Sequence, residues 1–166
     1  MSSTNKSTGA PDVSTLTATA TAYIEVFRTL DTEALSRMLS DTYNHQFAPA
    51  SANLPGPMDR QGFIARQRHV GEVMASFPVT IKQTWPDPSP RQVLVWADSE
   101  TNFHKHLRDS DDDEWTKRGE YMFLMTMDES GERIVEVLEF LGSKTTEQIV
   151  SMVARALEQK KSRGAQ

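Results

Sequence analysis

A regular stripe of apolar residues near the start of the chain predicts a long amphipathic helix. The apolar positions recur at spacings of four and three residues, which places them on one side of a helix. They are Leu16, Ala20, Tyr23, Phe27 and Leu30. Asp31 then predicts a short second helix, because an aspartate side chain accepts hydrogen bonds from the free backbone N–H groups of a first turn.

The middle of the chain predicts a strand, a loop and a third helix. Residues 43–47 are typical of a short strand, and the prolines and glycine within residues 48–58 cannot continue regular structure. Asp59 is a suitable N-cap for a helix whose apolar residues keep the helical spacing as far as Phe77, where a proline follows. We therefore expect one helix over residues 59–77.

Beyond residue 78 the apolar period changes from helical to alternating, which is typical of strands. Residues 79–85 and 93–97 alternate on either side of a proline-rich turn, and residues 120–127 and 134–141 are apolar segments joined by a short turn. A capping-box spacing in front of Ile149 predicts a closing helix. Helices followed by strands predict an α+β fold in which helices cover one face of a curved antiparallel sheet.

Length and composition are those of one folded domain. The chain has 166 residues, of which 37% are apolar and 25% charged, and a chain of this length can bury one core. We expect a domain over residues 13–161 between disordered tails at 1–12 and 162–166, because the first residues are rich in small polar side chains. The acidic run at 109–114 is typical of a solvated hairpin loop.

Charge and residue types exclude several classes of protein. The net charge of −5 gives no reason to bind nucleic acid, and the lack of cysteine excludes disulfides and Cys-ligated metals. His104 and His106 would need a third ligand to hold zinc, and none is evident nearby in the sequence. No apolar stretch approaches a membrane span and no leader pattern is present. We expect a cytoplasmic protein with neither nucleic acid nor membrane as partner.

Four short runs carry a resemblance to a known family. They are His-Gln-Phe at 45–47, Phe-Pro-Val-Thr at 77–80, Gly-Glu-Tyr-Met-Phe at 119–123 and Glu-Phe-Leu-Gly-Ser-Lys at 139–144. Together with the order of elements, they resemble small fungal isomerases of meroterpenoid pathways. These isomerases have the cone-shaped fold called SnoaL-like or nuclear transport factor 2-like, and the resemblance covers most of the chain.

The resemblance implies a cofactor-independent protein, usually a homodimer, that reshapes a polycyclic intermediate by isomerisation, ring expansion or rearrangement. We therefore expect an isomerase or cyclase with no cofactor, a small hydrophobic polycyclic substrate, and a second copy of the chain as partner. The sequence contains no glycine-rich phosphate loop. Because one fold serves many functions, a dehydratase, a hydrolase and a non-catalytic small-molecule-binding module stay open as alternatives.

Isomerisation without a cofactor needs an acid or base in a water-poor pocket, where burial can raise a carboxyl pKa toward neutrality. Glu139 is the first candidate, because it lies in an apolar strand and within one of the family-like runs. Glu136 is its rival, since residues three apart on a strand point to opposite faces. Both faces of this strand are apolar, so the preference for Glu139 rests on the resemblance.

His45 and Tyr121 are the candidate polar partners of this carboxylate. His45 lies between Tyr43 and Phe47 on one face of the predicted strand. It could transfer a proton or hold a substrate oxygen, and the alternative is a buried structural histidine. The Tyr121 hydroxyl could donate to a carbonyl or a developing enolate, and the alternative is a core tyrosine.

The substrate-binding wall is expected to be aromatic and rich in methionine, which suits a bulky hydrophobic substrate and excludes water. The candidates are Tyr23, Phe27, Phe47, Met58, Phe63, Arg66, Trp96, Phe123 and Met125. Arg66 shares a helix face with His69 and is a candidate anchor for the substrate, with a surface salt bridge as the alternative. The opening helix, the 59–77 helix and the concave face of the sheet should form the walls.

Overall fold

The computed structural model describes residues 9–164. Most of the predicted N-terminal tail and the last two residues of the predicted C-terminal tail lie outside the described residues. The final helix, α5 (Ser143–Gly164), runs past the predicted boundary at residue 161. Residues 162–164 are therefore helical, because they continue the hydrogen-bonded turns of α5.

The first two helices form as the apolar spacing predicts. In α1 (Val13–Thr29), the carboxylate of Asp12 accepts a hydrogen bond from the backbone N–H of Thr15 at 2.7 Å. In α2 (Thr32–Met38), the Asp31 carboxylate accepts from two backbone N–H groups, each at 3.0 Å. These side chains satisfy N–H groups that a helix leaves free in its first turn, which fixes where each helix begins.

The prediction of a single helix over residues 59–77 is wrong at its C-terminal end. Helix α3 (Arg60–Gly71) begins as expected, with Asp59 accepting a hydrogen bond from the Gly62 N–H at 2.7 Å. It stops at Gly71, and Met74–Ser76 forms strand β3, which pairs with β6 (Asn102–Phe103). Backbone bonds to distant segments replace helical ones there, including one from the Phe77 N–H to the Phe27 carbonyl at 3.0 Å.

Six strands form one curved sheet in the order β2-β1-β8-β7-β5-β4. Their bounds are β1 (Leu39–Ala48), β2 (Met58–Asp59), β4 (Val79–Asp87), β5 (Gln92–Glu100), β7 (Arg118–Met127) and β8 (Ile134–Leu141). Every neighbouring pair is antiparallel except β1 and β8, which run parallel. This pair joins strands from opposite ends of the chain, and it brings the predicted site residues of both strands side by side.

Helices α1, α2 and α3 cover the concave face of the sheet and enclose the main core. A second apolar cluster lies under α5 and includes Val73, Phe103 and Trp115. The acidic run at 109–114 leads into the short helix α4 (Asp112–Trp115), whose last residue is fully buried in this cluster. The predicted α+β architecture is confirmed. Within residues 9–164, none of the helices is long and apolar enough to cross a bilayer.

Candidate active site

A cavity of about 190 Å³ opens between α3, α5 and the concave face of the sheet. Apolar side chains form most of its wall. The side chains with polar groups are Arg66, Gln67, His69, Tyr121, Glu139 and Thr146. The apolar side chains are Phe27, Phe47, Leu54, Val70, Met74, Phe77, Leu141, Ile149, Val150 and Val153. An apolar cavity with few polar groups is typical of a small-molecule site.

The structure decides between the two glutamates of β8. Glu139 and Leu141 line the cavity and Val137 is buried on the same inward face, whereas Glu136 is exposed on the outer face. A β-bulge near the start of β8 changes the alternation, because the register against β7 skips Val135. Ile134 therefore also packs into the core. The side-chain alternation of an ideal strand would have sent it to the outer face.

His45 lies directly behind the Glu139 carboxylate. The parallel register places Phe47 of β1 opposite Glu139 and His45 opposite Val137. The His45 Nε2 atom is 3.1 Å from Glu139 Oε2, with the imidazole fully buried and the carboxylate 12% exposed. The oxygen is at hydrogen-bond distance but off the donor direction, so Nε2 has no well-aligned acceptor. The carboxylate thus lies between the buried imidazole and the cavity.

Two tyrosine hydroxyls lie in a row behind His45, on the side away from Nε2. The Tyr43 hydroxyl is 2.8 Å from His45 Nδ1 and 3.5 Å from the Tyr23 hydroxyl. Burial raises the pKa of both Tyr43 and Tyr23 above the usual phenol range, so both keep their protons. When Tyr43 donates to Nδ1, the ring proton is on Nε2, which is the ring atom next to Glu139.

Aromatic rings hold the imidazole in place from both sides. His45 is stacked on Phe63 with a centroid separation of 4.1 Å and an interplanar angle of 14°. On its other side, the Phe47 ring lies 4.5 Å away at a tilt of 60°. Phe63 is therefore a core residue that packs against His45. It was predicted to line the cavity, but it does not.

Arg66 reaches the cavity from α3. Its guanidinium lies over the Phe47 ring at 5.1 Å from the centroid. Burial lowers the pKa of Arg66, and the negative charge of Glu139 opposes that shift. An arginine remains protonated at neutral pH in this situation. Arg66 therefore lines the cavity, and within residues 9–164 it forms no salt bridge.

Tyr121 contributes its ring to the cavity wall, stacked on Phe123 with centroids 5.7 Å apart. Its hydroxyl points toward Gly119, where an added Cβ would lie 2.8 Å from the phenol oxygen. Glu139 pairs with Phe123, on the other side of Tyr121 along β7. Burial raises the pKa of Tyr121 to about 12. The hydroxyl is therefore directed away from the carboxylate it was predicted to assist.

Several predicted substrate-binding residues do not line the cavity. Tyr23, Phe123 and Met125 are buried in the core, and Met58 packs against its edge. Trp96 lies on the outer face of the sheet, where its indole N–H donates to Glu120 at 2.6 Å. Val95 and Ala97, on either side of it in β5, take the inward positions. Phe27, Phe47 and Arg66 are the predicted binding residues that do line the cavity.

The contribution of α5 to the cavity wall was not predicted from the sequence. Four side chains from the first half of this helix close one side of the cavity: Thr146, Ile149, Val150 and Val153. Their helical spacing was visible in the sequence, but it does not say which surface the helix covers. Phe77 also lines the cavity and was not among the predicted binding residues.

His104 and His106 stand apart from this site. Their rings stack at a centroid separation of 5.5 Å at a short turn of 3-10 helix (Lys105–Leu107). Within residues 9–164, they belong to no cluster of three or more potential metal-ligating side chains.

No protein-family profile and no curated protein sequence matches the chain. Solved structures do resemble it. AusH from Aspergillus nidulans superposes with a TM-score of 0.70 at 18% identity, covering 80% of this chain and 87% of that one. The BvnE pinacolase from Penicillium brevicompactum superposes with a TM-score of 0.70 at 17% identity, covering 92% of this chain and 98% of that one.

A third fungal protein, PrhC from Penicillium brasilianum, gives a TM-score of 0.72 at 11% identity, covering 87% of this chain and 95% of that chain. Identities this low establish a shared fold. The predicted SnoaL-like, nuclear transport factor 2-like fold is therefore confirmed, and the resemblance to fungal proteins of this fold holds at the level of structure.

Proposed function

We propose that this protein is a cofactor-independent isomerase or cyclase that rearranges a polycyclic intermediate of fungal specialised metabolism, with Glu139 as the acid/base group. The observation that carries the proposal is the 3.1 Å contact between Glu139 and the buried His45 at the edge of an apolar cavity. The fungal proteins of the same fold, one of them a pinacolase, support the reaction class and the source of the substrate.

The proposed chemistry is a proton transfer within one bound molecule. The Glu139 carboxylate removes a proton from a carbon next to a carbonyl, and the electron pair moves into an enolate. Where a carbon–carbon double bond adjoins the deprotonated carbon, the enolate is a conjugated dienolate. The resulting carboxylic acid returns the proton to the far carbon of this dienolate, so the double bond moves and the product is an isomer. General acid–base catalysis of this kind contributes roughly 10²–10⁴-fold to a rate.

His45 acts through Glu139 as a positioning residue. It has no surface on the cavity, and its donor atom Nε2 is 3.1 Å from Glu139 Oε2. This donor stabilises the ionised carboxylate before proton removal, and Tyr43 keeps the ring in the required tautomer. Tyr121 serves as a wall of the cavity, with its hydroxyl held toward Gly119.

The size of the cavity constrains how a polycyclic molecule would bind. The volume of about 190 Å³ is below the roughly 300–1,000 Å³ that is usual for small-molecule sites. Part of the substrate must therefore extend through the opening between α3 and α5, or α5 must move outward. In either arrangement, the reacting carbon is the part that reaches Glu139.

Deuterium exchange tests the proposed base without knowledge of the natural substrate. A panel of apolar cyclic ketones is incubated with the protein in heavy water, and loss of α-protons is followed by NMR. Glu139→Gln is expected to reduce the catalysed exchange by about 10²–10⁴-fold. Glu136→Gln is the matched control, because it changes the same residue type on the same strand, on the outer face. Undiminished exchange in Glu139→Gln, with the protein folded, would remove Glu139 from this role.

A pair of substitutions distinguishes the positioning role of His45 from a purely structural one. His45→Gln keeps a side-chain N–H donor for the carboxylate, whereas His45→Leu removes it. The exchange rate and the free energy of unfolding are measured for the wild-type protein and both variants. Exchange should be slower in His45→Leu than in His45→Gln, and equal rates in the two variants would show that His45 only fills space.

A hydrolase or dehydratase using the same carboxylate, and a non-catalytic binding module, are the competing functions. The buried carboxylate–imidazole contact favours catalysis over passive binding. Product analysis in heavy-oxygen water separates the enzymatic alternatives, because a hydrolase incorporates the label and a dehydratase releases water. An isomerase does neither.

We also propose that the protein forms a homodimer through the outer face of the sheet. The strand register aligns Leu138, Leu124, Leu94 and Trp85 in one apolar row across β8, β7, β5 and β4. Phe140, beside this row, is 52% exposed. Continuous apolar patches of this kind mark interaction surfaces. A dimeric mass at micromolar concentration, lost in Phe140→Asp, is expected, and a monomeric wild-type protein would refute the dimer.

A further inference from the structure

Arg66 is a charged side chain without a charged partner at the cavity. Among residues 9–164, no carboxylate oxygen lies within 4.0 Å of its guanidinium, and the guanidinium makes no hydrogen bond. The side chain is half-buried and lines the cavity. Two other half-buried guanidiniums do have hydrogen-bonded partners: Arg60 donates to the Ser36 carbonyl and hydroxyl, and Arg108 pairs with Asp112.

An unpartnered guanidinium in an apolar cavity favours an anionic ligand. Removing the charge from water costs free energy that only a hydrogen-bonded acceptor recovers fully. The face of Phe47 stabilises the cation but accepts no conventional hydrogen bond. The five N–H donors of a guanidinium match the two oxygens of a carboxylate in a planar, bidentate arrangement.

The surroundings of Arg66 separate it from the reaction centre. Gln67 and His69, on the same helix, also line the cavity, so three polar side chains lie together on the helix wall. His69 lies 3.5 Å from the Glu72 carboxylate. Glu139 lies on the sheet and acts on Arg66 through its field, at more than 4.0 Å. The cavity therefore has a cationic wall on α3 and a carboxylate on β8, joined by apolar surface.

We propose that the substrate is a hydrophobic acid, whose ionised carboxylate binds Arg66 while its apolar ring system presents a carbon to Glu139. This deepens the proposed function and rests on it only in taking this cavity as the substrate site. Arg66 determines specificity and orientation: it selects an anion over a neutral molecule of the same shape and fixes which end enters first. Gln67 adds a neutral donor at the same wall.

A matched pair of probes tests the proposal. Naphthoate is a bicyclic carboxylate, and its primary amide has nearly the same shape without the charge. Binding of both is measured by calorimetry or ligand-observed NMR at fixed pH and salt. A charge-assisted bond to Arg66 predicts that wild-type protein binds naphthoate about tenfold to a hundredfold more tightly than the amide.

Variants of α3 assign the preference to one side chain. Arg66→Gln should abolish the preference for naphthoate while keeping the affinity for the amide, which also shows that the cavity is intact. Arg66→Lys should keep part of the preference, because it retains the charge without the planar pair of donors. Arg68→Gln is the matched control: it removes the same charge from an exposed position on the same helix, outside the cavity.

Two results would overturn the proposal. One is equal affinity of the wild-type protein for the two probes, including the case in which neither binds measurably. The other is a preference for naphthoate that survives in Arg66→Gln. Neither depends on turnover, so a failure of acid/base catalysis by Glu139 and a failure of anion binding by Arg66 are separate outcomes.

Discussion

At the scale of single residues, a glycine decides the position of the tyrosine in the cavity wall. A Cβ built on Gly119 would lie 2.8 Å from the Tyr121 hydroxyl oxygen and 2.9 Å from ring atom Cε2. Real side chains do not come that close, so the absence of a side chain at 119 allows the Tyr121 ring to lie along its own strand. This ring is one wall of the cavity.

Gly119→Ala is expected to displace the Tyr121 ring and to destabilise the protein by about 1–3 kcal/mol through overpacking. The free energy of unfolding in denaturant measures the loss. Gly142→Ala is the control, because an added Cβ there meets nothing within 4 Å, and its effect should be within about 0.5 kcal/mol. Equal stabilities for the two variants would contradict the steric explanation.

At the scale of elements, α5 has two halves with different tasks. Its first half closes the cavity through Ile149 and Val153. Its second half carries Arg155, which pairs with Asp109, pairs with Glu114 at 2.6 Å, and lies over the Trp115 ring at 4.9 Å. The Arg155 guanidinium lowers the pKa of Asp109. The cavity wall is therefore held in place by contacts made further along the same helix.

Arg155→Gln is expected to make α5 more mobile and to weaken binding of the primary amide of naphthoate in the cavity. Hydrogen exchange of the α5 amides should become faster, because the ion pairs to the segment before β7 are lost. Lys161→Gln is a matched control, since its partner Glu158 lies on α5 itself. If the two variants exchange at the same rate, Arg155 does not hold the helix.

At the scale of the whole molecule, the tyrosines set the alkaline limit of stability. The chain has three tyrosines, and all of them are buried. Burial raises the pKa of each, to about 12 for Tyr121. Above about pH 10, a phenol ionises in the unfolded chain but stays protonated in the folded one. The unfolded state then binds fewer protons, so stability falls as pH rises.

The free energy of unfolding should decline steeply above about pH 10, with each buried tyrosine contributing about 1.4 kcal/mol per pH unit. Denaturant titrations from about pH 8 to about pH 11 measure the slope, and tyrosinate absorbance shows whether ionisation accompanies unfolding. Tyr121→Phe should make the decline in the free energy of unfolding shallower by about 1.4 kcal/mol per pH unit. A wild-type slope equal to that of the variant would contradict this account.

Local sequence pattern predicts most of the secondary structure and the inward face of β1. Apolar periods of four and three gave α1, and alternation gave the strands, because burial of one face imposes these periods on any sequence that folds. Tyr43, His45 and Phe47 do share one inward face. The wall residues Phe27, Phe47 and Arg66 were also predicted from local pattern.

The contacts between these residues depend on how distant segments of the chain pack together. The contact between His45 and Glu139 depends on the parallel register of β1 and β8, whose residues are far apart in sequence. Local spacing carries no information about such a register. The bulge at Val135, the end of α3 at Gly71 and the surface covered by α5 likewise follow from packing between distant segments. Local apolar pattern therefore predicts the helices and strands around the cavity, whereas the pairing of distant strands places Glu139 next to His45.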